Sequence, residues 1–306
     1  MNYIDLHTHT RFSDAKVTLE HSLTDADELG LSLFSVTDHN TVAAYSHIHA
    51  CRHLFGGRIL TGVELSTIFH GEVIEILGYG IDTMLMSELI GRNYPTFYEK
   101  QVKEAQLDTL ALLKAGVILD PDFVEAMTEK PQSIFDPYHD TNRPYLLREI
   151  KRHPENARFF ASDEEFCTIG EGKFTRNYLF NAKSAIYSDQ SSLCPDIAQV
   201  IDMIKQCGGL SFLAHPFVYS DNIISALDEI AEYGLDGMEC FYGTFTPEQK
   251  RFMYDYCDKH NLFKSGGSDY HGKIMRPQNV LGLSAGERIP FALIEPWFEK
   301  VEKSLI

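Results

Sequence analysis

The sequence predicts an α/β fold: a mostly parallel sheet or barrel, interrupted by a helical segment. Three observations carry this expectation. Short apolar runs alternate with amphipathic stretches through residues 1–83. From 84 to 190 the rhythm changes to helical patterning, cut by Pro121, Pro131, Pro137, Pro144 and Pro154. After Pro195 the strand–helix alternation resumes and runs to the end. A chain of 306 residues accommodates one α/β barrel with an insertion, or two domains. The expected division is 1–83 with 191–306 as the α/β part, and 84–190 as the inserted helical part.

The elements follow in order. "NYIDLHTHT" reads as a strand with Ile4 and Leu6 on one face and Asp5, His7 and His9 on the other. Thr18 is placed to cap a helix running through Leu29, with Gly30 as its stop. "LSLFSVTDHN" is a buried strand entering a polar loop, followed by a helix from about Val42 to Leu54. "RILTGVE" and "EVIEILGYG" are strand-like, with His70 in a hairpin turn between them. "FYEKQVKEAQLDTLALLKAG" is a long amphipathic helix that ends at Gly116. Later come a helix to Cys207, the strand "LSFLAHP", a helix over Ile223–Tyr233 and the strand "GMECFYG". A helix from Pro247 to His260, the strand "LFKSGGSDYHG" and a last helix through Trp297 complete the chain.

Composition excludes several classes. The net charge of −17 argues against a broad surface for duplex nucleic acid, which needs the opposite sign. No basic leader precedes a long apolar run, and no apolar stretch would span a bilayer. The six cysteines lack CxxC spacing and read as reduced thiols of a cytoplasmic protein. Oligomeric state leaves no mark in the sequence.

The polar residues gather where strands end. His7, His9 and then Asp14 follow the first strand; Asp38 and His39 follow the second. "TGVE" supplies Glu64, "LAHP" supplies His215, and "GGSDYHG" supplies Asp269 and His271. The HxH pair alone is compatible with a solvated edge strand, His215 alone with a packed core histidine, and Asp38 suits a loop cap better than a ligand. Taken together, unpaired acids and imidazoles at the end of strand after strand would be costly to bury, and metal coordination removes that cost. In a barrel the carboxyl ends of the strands meet on one face, where active sites are built. The number of ligands exceeds what one tetrahedral ion uses, and mixed imidazole and carboxylate donors suit Mn²⁺, Fe²⁺ or Zn²⁺. Such a multinuclear centre polarises phosphoryl oxygens and acidifies bound water.

"DLHTHTRFSD", "VTDHN", "TGVE", "ILGYGID", "LAHP" and "GGSDYHG" resemble, in order, the motifs of the PHP (polymerase and histidinol phosphatase) superfamily, above all its free-standing phosphoesterases with a helical insertion. The resemblance implies a distorted (β/α)7 barrel holding two or three divalent metal ions. It implies that His7, His9, Glu64 and Asp269 hold one ion, that Glu64 bridges to a second that also uses His215, and that Asp14, His39 and His271 hold a third. Glu75 stands where the family usually has histidine, and would serve as a carboxylate ligand of the second ion. Tyr145 replaces the histidine of an Arg-Pro-His segment whose Arg143 is kept, and the Asp-Gly pair after the first strand is Asp14-Ala15 here. The implied reaction is hydrolysis of a phosphomonoester, such as a nucleoside 3′,5′-bisphosphate or monophosphate. The nucleophile would be a metal-bound hydroxide held by Glu64, Asp14 and Asp269, with no phosphoenzyme.

Cationic side chains must hold the phosphate oxygens that metals leave free. Arg143 is the first candidate because a planar guanidinium grips phosphate bidentately; Lys173 and Arg176 follow. The expected partner is a small phosphorylated substrate, with no membrane and no duplex. The alternatives are a 5′–3′ exonuclease on short oligonucleotides, an amidohydrolase-type enzyme, and a metal-binding module without catalysis.

Overall fold

The computed structural model describes residues 2–137 and 140–306. In chain order its elements begin with β1 (Tyr3–Asp5), α1 (Leu19–Glu28), β2 (Leu31–Phe34), α2 (Ala44–Cys51), β3 (Arg58–Ile59), β4 (Gly62–Phe69), β5 (Glu72–Tyr79) and α3 (Thr83–Asn93). Five helices follow: α4 (Phe97–Ala115), α5 (Pro121–Glu129), α6 (Arg143–Arg152), α7 (Asp163–Thr168) and α8 (Glu171–Phe174). Then come α9 (Ile197–Gln206), β6 (Leu210–Leu213), α10 (Asp221–Ser225), α11 (Leu227–Glu232), β7 (Gly237–Tyr242), α12 (Pro247–His260) and β8 (Phe263–Gly267). The chain ends with the hairpin β9 (Leu283–Ser284) and β10 (Glu287–Arg288), and α13 (Glu295–Val301).

These elements form two compact units. The first contains the residues up to Thr67, Ile74–Arg92 and Ile197–Ile306; the second contains Ile68–Val73 and Asn93–Asp196. The boundary expected at residue 84 therefore differs from the observed one at Asn93. α3 stays with the first unit because its entry is tied there: Asp82 N–H donates to Cys207 O at 2.9 Å, and Met86 is fully buried.

The first unit carries a parallel sheet β1–β2–β3 and a five-stranded sheet ordered β4–β5–β6–β7–β8. β6, β7 and β8 run parallel, while β5 pairs antiparallel with β6. The sheet is thus mixed, a consequence of the tight turn at His70 and Gly71 that reverses the chain between β4 and β5. Backbone hydrogen bonds join the sheets beyond the strand ends at two places. Leu6 N–H reaches Gly266 O (3.3 Å), and Asp269 N–H reaches His7 O (2.8 Å). On the other side Asn40 N–H reaches Glu64 O (2.8 Å). The first junction requires glycine at 267, since a Cβ there would lie 2.2 Å from the His7 Cβ.

Asp5 fixes the same junction. Its buried carboxylate accepts from Ser268 Oγ (2.6 Å), Ser268 N–H (2.9 Å) and Gly282 N–H (2.7 Å). Although it shares strand parity with His7, it braces the loop after β8. Burial pushes its pKa up to about 6 against these hydrogen bonds. Behind the sheets lies a core of Leu6, Leu77, Phe212, Ile294 and Trp297. The fully buried indole stacks on Tyr79 at 5.7 Å and donates Nε1–H to Lys264 O at 2.8 Å. This polar partner is what lets a tryptophan be buried whole.

Local signals set the helix ends. Thr18 accepts from His21 N–H at the start of α1. Thr246 and Gln249 form a capping box at α12, as do Thr96 and Glu99 at α4. Gly116 ends α4 at φ 84°. The helix expected over Val42–Leu54 is α2 plus a 3₁₀ turn, Arg52–Leu54. That expected over Ile223–Tyr233 is two short helices, α10 and α11, parted where Ala226 leaves helical geometry.

The second unit has its own core, which includes Leu112, Leu146, Ile150, Phe174 and Leu179. Inside it Asp108 is fully buried, accepting from Asn142 Nδ2 (2.7 Å) and Gln190 Nε2 (2.9 Å). Burial, aided by the nearby Glu104 charge, raises its pKa to about 6. Among the described residues, no helix is long and apolar enough to cross a membrane.

Candidate metal centre

In the first unit the ends of strands converge. His7 and His9 follow β1, Asp14 lies in the next turn, and His39 follows β2. Glu64 stands on β4 and Glu75 on β5; His215 follows β6, and Asp269 and His271 follow β8. The structure brings all of these predicted residues into one cluster. Glu64, fully buried, sits at its middle. Its Oε1 lies 3.2 Å from His7 Nε2 and 3.0 Å from His215 Nε2. Its Oε2 lies 3.2 Å from His9 Nε2 and 3.0 Å from His39 Nδ1. Each carboxylate oxygen thus faces a different pair of imidazoles.

Glu75 spans the outer side of this group, with Oε1 3.2 Å from His39 Nδ1 and Oε2 3.4 Å from His215 Nε2. Asp269 Oδ1 faces His9 Nε2 (3.1 Å), His271 Nδ1 (3.3 Å) and His7 Nε2 (3.6 Å). Asp14 Oδ1 is 3.1 Å from His271 Nε2, and its Oδ2 is 3.8 Å from His39 Nε2. Asp38 takes no part in this convergence. It accepts from Thr10 N–H, Thr10 Oγ1 and Ser13 Oγ at 2.6–2.7 Å, pinning the loop that carries Asp14.

Divalent ions fit this donor set. His7 Nε2, both ring nitrogens of His9, His39 Nδ1, Glu64 Oε2, Asp269 Oδ1 and His271 Nε2 are buried and lack a hydrogen-bond partner among the described residues. Leaving so many polar atoms unmatched would be destabilising unless a ligand engages them. They group into overlapping sets of metal-ligating geometry: His9, Asp14, His39 and His271; His7, His9 and Asp269; His7, Glu64 and His215; and His39, Glu64 and Glu75.

Electrostatics points the same way. Burial opposes charge on the His7 and His9 rings, yet the neighbouring carboxylates outweigh it: His7 is held well above the usual imidazole range, and His9 is pushed up to about 10. Glu64 and Asp269 lie well below the usual carboxylate range, because histidines, and for Asp269 the Arg276 guanidinium, overcome their burial. His7 and His9 therefore favour positive charge at their ring nitrogens, which protons or divalent ions can supply, whereas burial and the neighbouring His9 hold His271 below the usual imidazole range. The backbone is strained here: His215 has φ 27° and Asp269 φ 55°.

Three contributors carried no sequence signal of the ligand kind. Glu239, inside β7, accepts from His7 Nδ1–H at 3.0 Å and from the His215 backbone N–H at 2.9 Å. Tyr242 donates its hydroxyl to Asp269 Oδ2 at 2.7 Å. Arg276, in the loop after His271, pairs with the same Oδ2 at 2.5 Å. A charged residue within the apolar run "GMECFYG" could have flagged Glu239; nothing periodic marks Arg276.

The predicted phosphate contacts belong to the second unit. Both oxygens of the buried Glu104 carboxylate lie 3.1 Å from Arg143 Nη2, and the Arg143 guanidinium lies over the Phe180 ring. Lys173 pairs with Glu165 at 2.5 Å, and Arg176 is exposed.

Against known proteins, the family description "PHP domain" matches residues 5–142. The chain is 27% identical over 274 residues to the 5′-3′ exoribonuclease Rnm of Escherichia coli K12, covering 87% of this chain and 84% of that protein. It is 24% identical over 274 residues to the 3′,5′-nucleoside bisphosphate phosphatase of Chromobacterium violaceum, covering 89% and 88%. Its fold is similar to that of an amidohydrolase from Chromobacterium violaceum, with a TM-score of 0.65 at 21% identity over 99% of this chain and 97% of the other. The matched segment begins at the last residue of β1 and contains β2, β3, β4 and β5, with the histidines and carboxylates at their ends, and similarity to these relatives extends along most of the chain: residues 5–142 of this protein carry a PHP domain.

Proposed function

We propose that this chain hydrolyses a phosphomonoester of a small nucleotide, such as a nucleoside 3′,5′-bisphosphate or monophosphate, at the centre built around Glu64. The observation that carries the reading is the ring of partnerless imidazole and carboxylate atoms about one buried, two-sided carboxylate. We read the strands that bear them as the distorted seven-stranded barrel of the family. His7, His9, Asp14, His39, Glu64, Glu75, His215, Asp269 and His271 would hold two or three divalent ions. When bound, those ions supply Lewis acidity toward the phosphoryl oxygens and an activated water for in-line attack.

The protein's own residues set the geometry. Glu239 takes the Nδ1 proton of His7, which leaves Nε2 free to face the centre. The Asp269 backbone carbonyl does the same for His271, 2.9 Å from its Nδ1. Tyr242 engages one oxygen of Asp269 and so reserves the other for the cluster. Asp14, Glu64 and Asp269 would position the water. Arg143, Lys173 and Arg176 would hold substrate phosphate, and Arg143→Ala is expected to raise KM with kcat kept.

A second reading, trimming of short oligonucleotides from the 5′ end, is favoured by the likeness to the Escherichia coli exoribonuclease. One experiment separates them. The Mn²⁺-loaded protein is given a nucleoside 3′,5′-bisphosphate, a nucleoside monophosphate, a 5′-phosphorylated oligoribonucleotide and a cyclic amide. Our reading expects inorganic phosphate from the first two at the highest kcat/KM. Faster release of mononucleotides from the oligomer selects the second reading, and turnover of the amide alone excludes both.

A further inference from the structure

We propose that Arg276 is a substrate-contacting residue of this centre, whose guanidinium takes non-bridging oxygens of the phosphoryl group. The proposal rests on the phosphoesterase reading above. Three observations carry it.

The first is position. Arg276 reaches the cluster from the loop after β8, in the same unit. Its Nη1 meets Asp269 Oδ2 at 2.5 Å, and its Nη2 stands 3.8 Å from Asp14 Oδ2. A guanidinium has five N–H donors in one plane. These two carboxylates do not exhaust them, and the side chain is 34% exposed. Asp14 is equally exposed, and His39 and Glu75 are each 21% exposed, whereas His7, His9, Glu64 and His271 are fully shielded. Arg276 thus stands on the open side, where a substrate must enter.

The second is division of labour at Asp269. Its Oδ1 faces three histidines and has no hydrogen-bond partner; its Oδ2 already receives the Tyr242 hydroxyl. Tyr242 already gives Oδ2 a hydrogen bond, so the arginine adds charge there and is not its sole polar partner.

The third is charge. With two or three divalent ions and neutral imidazoles, the ligands Asp14, Glu64, Glu75 and Asp269 are balanced or exceeded by the ions alone. The carboxylates beside the guanidinium are then shared with the ions, and its N–H groups that face the open side stay available to an anion. A phosphate matches them, since guanidinium and phosphate pair through parallel charge-assisted bonds. Glu75 adds a negative charge where an imidazole would add none, and Arg276 offsets it on the same open side.

The test uses the full-length, metal-loaded protein with inorganic phosphate as probe. Phosphate binding is followed by calorimetry and metal stoichiometry by mass spectrometry, for wild type, Arg276→Gln and Arg276→Lys. Arg276→Gln is expected to keep its metal content and to weaken phosphate binding by about 10- to 150-fold. Arg276→Lys, which keeps the charge but not the planar fork, is expected to fall between. Phosphate binding unchanged in both variants overturns the proposal. So does loss of metal with phosphate affinity per loaded molecule unaltered, which would make Arg276 a brace for Asp269. Should Arg276→Gln fail to fold, the lysine variant alone decides on the same readouts. If wild type neither binds phosphate nor cleaves any phosphoester, the phosphoesterase reading falls and this proposal with it; an effect missing only in the variants sinks the proposal alone.

Discussion

Glu239 offers a sharp test of how the centre is organised, because it is fully buried and has two tasks. Its Oε1 takes the His7 Nδ1 proton at 3.0 Å, and its Oε2 takes the His215 backbone N–H at 2.9 Å. Both bonds involve a charged acceptor. Glu239→Gln preserves shape but turns one oxygen into an NH₂ group. That group cannot accept, so one of the two donors loses its partner. Losing a buried hydrogen bond of this type costs about 1–3 kcal/mol. If His7 is released, its ring can turn or change tautomer; if His215 is released, a residue at φ 27° loses a restraint. Either way an imidazole is presented less well. The expected result is a fall in metal affinity of about 10- to 100-fold, measured by competition with a chromophoric chelator, with circular dichroism unchanged. Affinity within about twofold of wild type would refute the orienting role, since RT ln 2 is only about 0.4 kcal/mol.

Two further outcomes are expected. Glu75→His should retain the fold and shift preference toward Zn²⁺ or Fe²⁺ over Mn²⁺, because imidazole is the softer donor; equal metal content and preference in competition experiments would show that Glu75 is not a ligand. Asp108→Asn should flatten the pH dependence of stability in acid. The folded pKa of about 6 lies above the ordinary 3.8, so the folded chain binds the proton more tightly and stability is lost as pH rises between these values. The interval corresponds to about 3 kcal/mol. In urea titrations the difference between wild type and variant should therefore change by up to that amount between pH 4 and pH 7, and a constant difference contradicts the account.

Much of the cluster was legible because its residues obey a simple local rule: an apolar strand ends, and a histidine or acid follows at once. Strand parity in HxH aims His7 and His9 at the same place, and the structure puts both within 3.2 Å of Glu64. Asp38 was read as a loop cap and is one, holding Thr10 and Ser13. Glu75 was visible only through the family pattern, since a lone glutamate in a strand has many bland explanations.

What stayed hidden depends on long-range packing. Glu239 lies mid-strand, and only the pairing of β6 with β7 carries it to His215. Arg276 lies in an irregular loop, where no periodicity tells which way a side chain turns. In the sequence α3 looks like the first of the inserted helices; its attachment to Cys207, far along the chain, groups it with the first unit.

The central claim is that the cluster around Glu64 works only when it holds divalent ions. The most direct measurement strips the protein with a chelator, verifies by mass spectrometry that no metal remains, and assays phosphate release before and after adding Mn²⁺, Fe²⁺ or Zn²⁺. The account predicts no turnover by the stripped protein, and recovery that rises with bound ions to two or three per chain. Full turnover by the verified metal-free protein would contradict it.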